Sequence, residues 1–281
     1  TPVYDIFFHS IENAGRTVLE CPLTYDGASY GIDFAALERG LAEPLTTMMI
    51  LCNPHNPVGR IWSREELARI GELCRRHGVT VLSDEIHCDL TDPEVGYVPF
   101  ASVSRECADN SVTCVAASKA FNLAGLQSAA VVIPNEFLRN KVVRGLNSDE
   151  VAEPNCFAAI AAATAFGSCG DWLDALRAYL AENKRTVSEF VSREIPGIHV
   201  VGQNATYLLW IDCSAITDDT DELAEHIRRT TGHYLTAGGQ YRGNCRYFLR
   251  MNTACQRKTL IDGLERLRAG VADYCRAKGD I

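Results

Sequence analysis

Four short runs of aliphatic and β-branched residues, at 46–51, 79–82, 112–115 and 129–133, constrain this chain more than any other feature. Each is too uniformly apolar to keep one face in water, so each reads as a strand buried on both faces. Between the first two, Ser63-Arg64-Glu65-Glu66 makes a capping box. Leu67, Ile70 and Leu73 then recur on one helical face, and Gly78 supplies the stop. Strand, helix, strand at this spacing is a βαβ unit. The expected fold is therefore α/β, a mainly parallel sheet with helices on both faces.

The second half changes character. A long helix at 171–191 places Leu173, Leu176, Leu180, Val187 and Phe190 at helical intervals. Strand candidates at 199–201 and 207–211, a helix at 221–230 and a strand at 246–251 follow. A last helix carries Leu260, Leu264, Leu267, Val271 and Tyr274 on one stripe. This reads as a smaller C-terminal α+β domain. The expected boundary lies near 166–168, giving a large domain at 1–167 and a small one at 168–281. No internal repeat and no low-complexity linker interrupts the chain.

Composition narrows the function. With 47% hydrophobic and 22% charged residues the chain is globular, not disordered. A net charge of −9 argues against nucleic acid or an anionic membrane as the main partner, since both need clustered Lys and Arg. The longest apolar stretch, 158–165, is too short to span a bilayer. The opening Thr-Pro-Val-Tyr-Asp lacks the basic-then-apolar order of a secretory leader. Twelve cysteines occur singly, without Cys-x-x-Cys or metal-ligand spacing, and several sit inside apolar runs. The expectation is a reduced, cytoplasmic protein with no metal.

Ligands of open parallel sheets bind outside the carboxyl ends of the strands. After the first strand comes Asn53-Pro54-His55-Asn56-Pro57-Val58-Gly59. After the second comes Ser83-Asp84-Glu85-Ile86-His87, and after the third Ala116-Ala117-Ser118-Lys119-Ala120-Phe121-Asn122. An amide, a carboxylate and a lysine are thus expected at one rim. Each also has an ordinary use: Lys119 as a solvated lysine, Asp84 as a cap or turn residue, Asn56 in an Asn-Pro turn. His87 could be satisfied by Asp89, Tyr4 could be a core tyrosine, and Arg250 could sit in a buried structural ion pair.

These three segments, in this order and spacing, resemble the fold-type I pyridoxal-phosphate enzymes. The chain is similar to class I/II aminotransferases and, within them, to the cystathionine β-lyase branch. The resemblance runs from Thr1-Pro2-Val3-Tyr4 to the last helix and includes Tyr247-Phe248-Leu249-Arg250-Met251-Asn252. It implies pyridoxal 5'-phosphate as cofactor and a small amino acid as substrate. Lys119 would be the catalytic amine, since a lysine shielded near other positive charge serves as nucleophile and proton shuttle. Asp84 would keep the ring nitrogen protonated. Asn56 would donate to the ring phenolate and to the substrate carboxylate. His87 stands where aminotransferases carry a tyrosine, which draws the sequence towards the lyases. Tyr4 would stack on the ring, Ser118 would be the one local hydroxyl for the phosphate, and Arg250 would hold the substrate carboxylate through its planar fork. Tyr207 reads as core, and Arg246 and Arg257 as residues of exposed faces.

Two departures from the family pattern stand out. Relatives carry a further N-terminal stretch before the part matching Thr1, including a glycine loop whose N–H groups cradle the cofactor phosphate. Gly238-Gly239 lies too late to replace it and reads as a turn that follows no sheet strand. Ala116 stands where relatives often have a serine, and Gln127 where aminotransferases often have arginine. Phosphate affinity from the local residues alone is expected to be weak. The first reading is a C–S β-lyase that releases thiol, pyruvate and ammonia from cystathionine or a related cysteine conjugate. The alternatives are an aminotransferase using the same residues and a truncated, catalytically silent remnant or regulatory binding protein. A homodimer is the form the resemblance implies.

Overall fold

The computed structural model describes residues 1–279. Contacts gather them into two compact units: 1–33, 56–60 and 178–279 form one, and 34–55 with 61–177 form the other.

The first unit opens with helix α1 (Ile6–Asn13) and an antiparallel hairpin of β1 (Leu23–Tyr25) and β2 (Tyr30–Ile32). The hairpin turns where Asp26 Oδ1 accepts the backbone N–H groups of Ala28 and Ser29, at 2.9 and 2.7 Å. This is a local hydrogen bond that aspartate is suited to make.

The second unit begins with α2 (Phe34–Leu41) and is built on a four-stranded sheet. Its strands are β3 (Met48–Cys52), β4 (Thr80–Asp84), β5 (Ser111–Val115) and β6 (Ala130–Val132), in that spatial order. The first three are parallel, and β6 runs antiparallel to β5. Register places Cys52 beside Asp84 and Asp84 beside Cys114, so the three polar segments leave from the same ends of neighbouring strands. Between β3 and β4 runs α3 (Arg64–Arg76), started by the expected capping box. Ser63 Oγ accepts the Glu66 N–H at 3.2 Å, and the Glu66 carboxylate accepts the Ser63 N–H at 2.8 Å. Leu67, Ile70 and Leu73 are buried on its inner face, and Gly78 at φ +70° ends the turn beyond it. Helices α4 (Arg105–Asp109), α5 (Ala117–Ala120), α6 (Glu136–Ser148) and α7 (Ala158–Ser168) complete the order. Two strands depart from expectation: β3 is exposed at its start, with Met48 at 55% exposure, and β6 is exposed throughout, with Val131 and Val132 at 38% and 50%. These are the two edge strands of the sheet, each with a neighbour on one side only, so apolar character there does not report burial.

Helix α8 (Gly170–Glu194) contains the cut between the units, at 177/178. The first unit then resumes with β7 (His199–Val200), β8 (Leu208–Asp212), α9 (Thr220–Thr231), β9 (Thr236–Ala237), β10 (Phe248–Asn252) and α10 (Arg257–Lys278). The strands form an antiparallel sheet in the order β7-β8-β10-β9. Leu209, Ile211, Leu249 and Met251 pack with Leu223, Ile227, Leu260, Leu264 and Leu267 from α9 and α10. A separate buried cluster joins Tyr30, Val58, Trp210, Tyr241 and Phe248. That cluster, together with the 2.7 Å bond from the Tyr25 hydroxyl to Asp212, ties residues early in the chain to the C-terminal sheet. A cut at 167/168 follows the chain in one piece, whereas burial gathers residues far apart in sequence.

Gly238 opens a 3₁₀ turn, Gly238–Tyr241, directly after β9. The glycine pair therefore does follow a sheet strand, a short edge strand of two residues whose sequence gives little sign of it. A Cβ at Gly238 would lie 2.0 Å from the Cys245 carbonyl oxygen and 2.8 Å from that of Phe248. We predict that Gly238→Ala lowers unfolding stability by about 2–4 kcal/mol, because backbone rather than a mobile side chain must give way. A denaturant midpoint equal to the wild type's would contradict that packing.

Candidate active site

The predicted residues fall in both compact units, and each group is built within its own. In the sheet of 34–177, Asp84 is the last residue of β4 and is buried at 9% exposure. Its Oδ1 accepts the Ile86 N–H at 3.2 Å. Burial pushes its carboxyl above the ordinary range, while the Ile86 N–H and the Lys119 charge pull it down and neighbouring Glu85 pushes it up. Lys119 sits half-buried in α5, the single turn that follows β5. Carboxylate and ammonium are thus in electrostatic reach of each other, as the strand order predicts.

A buried polar frame fixes these strand ends. Glu85 Oε1 accepts the Ser83 hydroxyl at 2.8 Å and the Phe100 N–H at 3.0 Å. The Tyr97 hydroxyl donates to the Asn53 carbonyl at 3.0 Å, and Asn53 Nδ2 donates to the Val98 carbonyl at 3.2 Å. Trp62 Nε1 donates to the Cys52 carbonyl at 3.0 Å. The frame leaves Asp84 with a defined direction, a requirement for any group that must meet a ligand atom.

His87, in the loop after β4, is buried, and its carbonyl accepts the Leu90 N–H at 2.9 Å. The recorded interactions of Asp89 run to Cys88 and Arg177. Ser118 is half-buried, Ala116 is buried at the start of α5, and Gln127 is exposed.

In the other unit, Arg250 lies on β10 between Trp210 of β8 and Thr236 of β9. Its Nη1 donates to Asn56 Oδ1 at 3.2 Å. The Arg250 guanidinium carbon stands 5.1 Å from the ring centre of Tyr241. Burial pushes the half-buried Tyr207 phenol up, with Arg250 pulling it down and Tyr4 pushing it up. Tyr4 is half-buried, edge-on to Phe7 at 5.7 Å. Among the described residues no carboxylate pairs with Arg250, so its charge rests on an amide oxygen and an aromatic face. Arg246 and Arg257 differ. Each is ion-paired, to Asp219 at 3.3 Å and to Glu182 at 3.1 Å; Arg246 lies on an exposed face as expected, whereas Arg257 is half-buried. A half-buried guanidinium without an anion is suited to accept one from a ligand.

Tyr207, read from sequence as core, is instead only half-buried and in electrostatic reach of Arg250. Tyr241 and Tyr97 lie in no sequence motif. Glu85 stands inside a motif already singled out, and its place beside Asp84 was the available signal.

Comparison with known proteins bears on the same residues. The model of the family described as aminotransferase class I and II matches residues 1–267. The chain belongs to the class I and II aminotransferase family. This aminotransferase-family chain is 43% identical over 271 residues to cystathionine beta-lyase PatB of Bacillus subtilis, covering 96% of the chain and 70% of that relative. It is 32% identical over 278 residues to protein MalY of Escherichia coli, covering 99% of the chain and 70% of MalY. Among solved structures it matches cystalysin from Treponema denticola, which contains pyridoxal 5'-phosphate. The TM-score is 0.94 at 31% identity, over 97% of the chain and 69% of cystalysin. The α/β fold and the family stand as expected from the motifs, and the relatives include a cystathionine beta-lyase and a pyridoxal-phosphate-containing neighbour.

Proposed function

We propose that this chain is a pyridoxal-phosphate-dependent C–S β-lyase acting on cystathionine or a related cysteine conjugate. The observation that carries the reading is the buried Asp84 in electrostatic reach of Lys119, in a chain 43% identical to a cystathionine beta-lyase. The pair fits the cofactor's chemistry. A buried carboxylate held by one recorded N–H gains from a cationic ring nitrogen, and a half-buried amine is suited to an aldehyde carbon.

When bound, pyridoxal phosphate supplies that aldehyde carbon and a ring that withdraws electrons from the substrate's Cα. Asp84 holds a proton at the ring nitrogen. Tyr4 would stack on the ring, and Asn56 and His87 would hydrogen-bond its phenolate oxygen. Ser118 offers its hydroxyl to the phosphate. Arg250 and Asn56 bind the substrate carboxylate and orient the Cα–H bond. Lys119 Nζ then removes the Cα proton, and the thiolate departs from Cβ.

The aminotransferase reading uses the same residues and is favoured by the family's description. In it, Lys119 would return the proton it takes from Cα instead of letting a group leave Cβ. Purified protein with added cofactor, given L-cystathionine, decides between them. Pyruvate and thiol formed in equal amounts without a 2-oxo acid support the lyase, whereas turnover that needs a 2-oxo acid supports the transferase. Protein that takes up no cofactor and turns over neither substrate would sink both.

Arg250→Gln is expected to raise KM for cystathionine about a hundredfold, the loss of charge-assisted bonds each worth about 1.5–3 kcal/mol. An unchanged KM would remove the guanidinium from the carboxylate site. The same reading makes the enzyme a cytoplasmic homodimer. Its twelve free thiols suit a reducing compartment, and no helix among the described residues is long and apolar enough to cross a membrane. Sedimentation at micromolar concentration checks the dimer.

A further inference from the structure

Among the described residues Arg250 is held by neutral groups and not by a carboxylate. Its Nη1 donates to an amide oxygen, Asn56 Oδ1, and its guanidinium lies over an aromatic ring, Tyr241. That ring is itself locked. Tyr241 is fully buried and meets Trp210 edge-on at 5.4 Å with planes at 86°. Its carbonyl accepts the Val3 N–H at 3.2 Å, and its turn starts at Gly238, where backbone oxygens leave no room for a side chain.

We propose that Tyr241 is the positioning residue for Arg250, its ring face aiming the guanidinium at the substrate carboxylate without cancelling its charge. The inference rests on the reading of Arg250 as the carboxylate holder. Physically, an ion-pair partner would fix the guanidinium equally well, but the incoming carboxylate would have to displace it or share it. An aromatic face attracts the cation through its quadrupole and leaves the N–H fork for a ligand. The ring face, not the hydroxyl, carries the effect. Burial pushes the Tyr241 phenol up to about 12, so it adds no negative charge beside Arg250 at neutral pH.

The test uses the full chain loaded with pyridoxal phosphate. Tyr241→Phe is compared with phenylalanines carrying one, two and three ring fluorines at position 241. These deplete the ring face in steps while nearly preserving its shape, so folding is not the variable. KM for L-cystathionine is expected to rise stepwise, reaching about tenfold at three fluorines, with kcat held within about twofold. Calorimetry supplies a second readout. The affinity of a non-reacting amino acid should fall in parallel, while that of the same amine lacking its carboxylate should stay constant. Tyr241→Phe itself should keep the wild-type KM. A flat KM across the series, or an equal loss for the amine without carboxylate, overturns the proposal. If Arg250→Gln also leaves KM unchanged, the carboxylate reading falls with it. If Arg250→Gln raises KM and the series is flat, only the role of Tyr241 falls.

Discussion

Lys119→Ala should form pyruvate from L-cystathionine on the order of a thousandfold more slowly than the wild type, or worse. Its amine is assigned two tasks, attachment of the cofactor and removal of the Cα proton, and alanine performs neither. Residual turnover should rise with a small added amine such as ethylamine, which restores a base without restoring attachment. The variant should also lack the visible absorbance band that the wild type shows with cofactor. Because Lys119 is half-buried in a single helical turn, its truncation should leave the far-ultraviolet circular dichroism unchanged. A Lys119→Ala protein with wild-type turnover would move the chemistry to another residue.

Asp84→Asn should have effects of opposite sign on catalysis and on stability. Asparagine cannot hold a full positive charge at the ring nitrogen, so the electron withdrawal that acidifies Cα weakens. We expect kcat to fall about a hundredfold or more, comparable to removing one preorganised electrostatic contact from an active site. The cofactor should remain attached, since Lys119 is untouched.

Stability runs the other way in the cofactor-free protein. Burial raises the folded-state pKa of Asp84 above its ordinary 3.8. In the window above 3.8 the folded chain therefore binds more protons than the unfolded one, and ionisation of Asp84 subtracts stability as pH rises. Asparagine has no such titration. Cofactor-free Asp84→Asn should thus melt above the wild type at pH 7, with the gap closing as pH falls towards 4. A variant that melts below the wild type at pH 7 would show that the carboxylate stabilises the empty site.

Much of this architecture is legible in the sequence because the signals are local. The Ser63-Glu66 box starts α3, Gly78 ends the turn after it, and parallel neighbours carry Asp84 and Lys119 to matching strand ends. What stayed hidden depends on long-range burial. Tyr30 joins Trp210 through a hydrogen bond of 3.3 Å spanning 180 positions, and no periodicity reports such a pairing. That is why the compact units are discontinuous while a boundary drawn from helix and strand patterns is not. The exposure of β6 was hidden for the converse reason: Val131 and Val132 look like core, and only the strand's place at the edge reveals otherwise. Among site residues, those in motifs could be found, whereas Tyr241 lies in an unremarkable glycine-rich turn. Its meaning emerges only from the 5.1 Å separation from the Arg250 guanidinium.

The most direct measurement of the central claim is reductive trapping followed by peptide mass mapping. Purified chain is incubated with pyridoxal 5'-phosphate, treated with borohydride and digested. The account predicts a single stoichiometric label on the peptide bearing Lys119. Label spread over several exposed lysines, or fixed on Lys141, Lys184, Lys258 or Lys278, would contradict it.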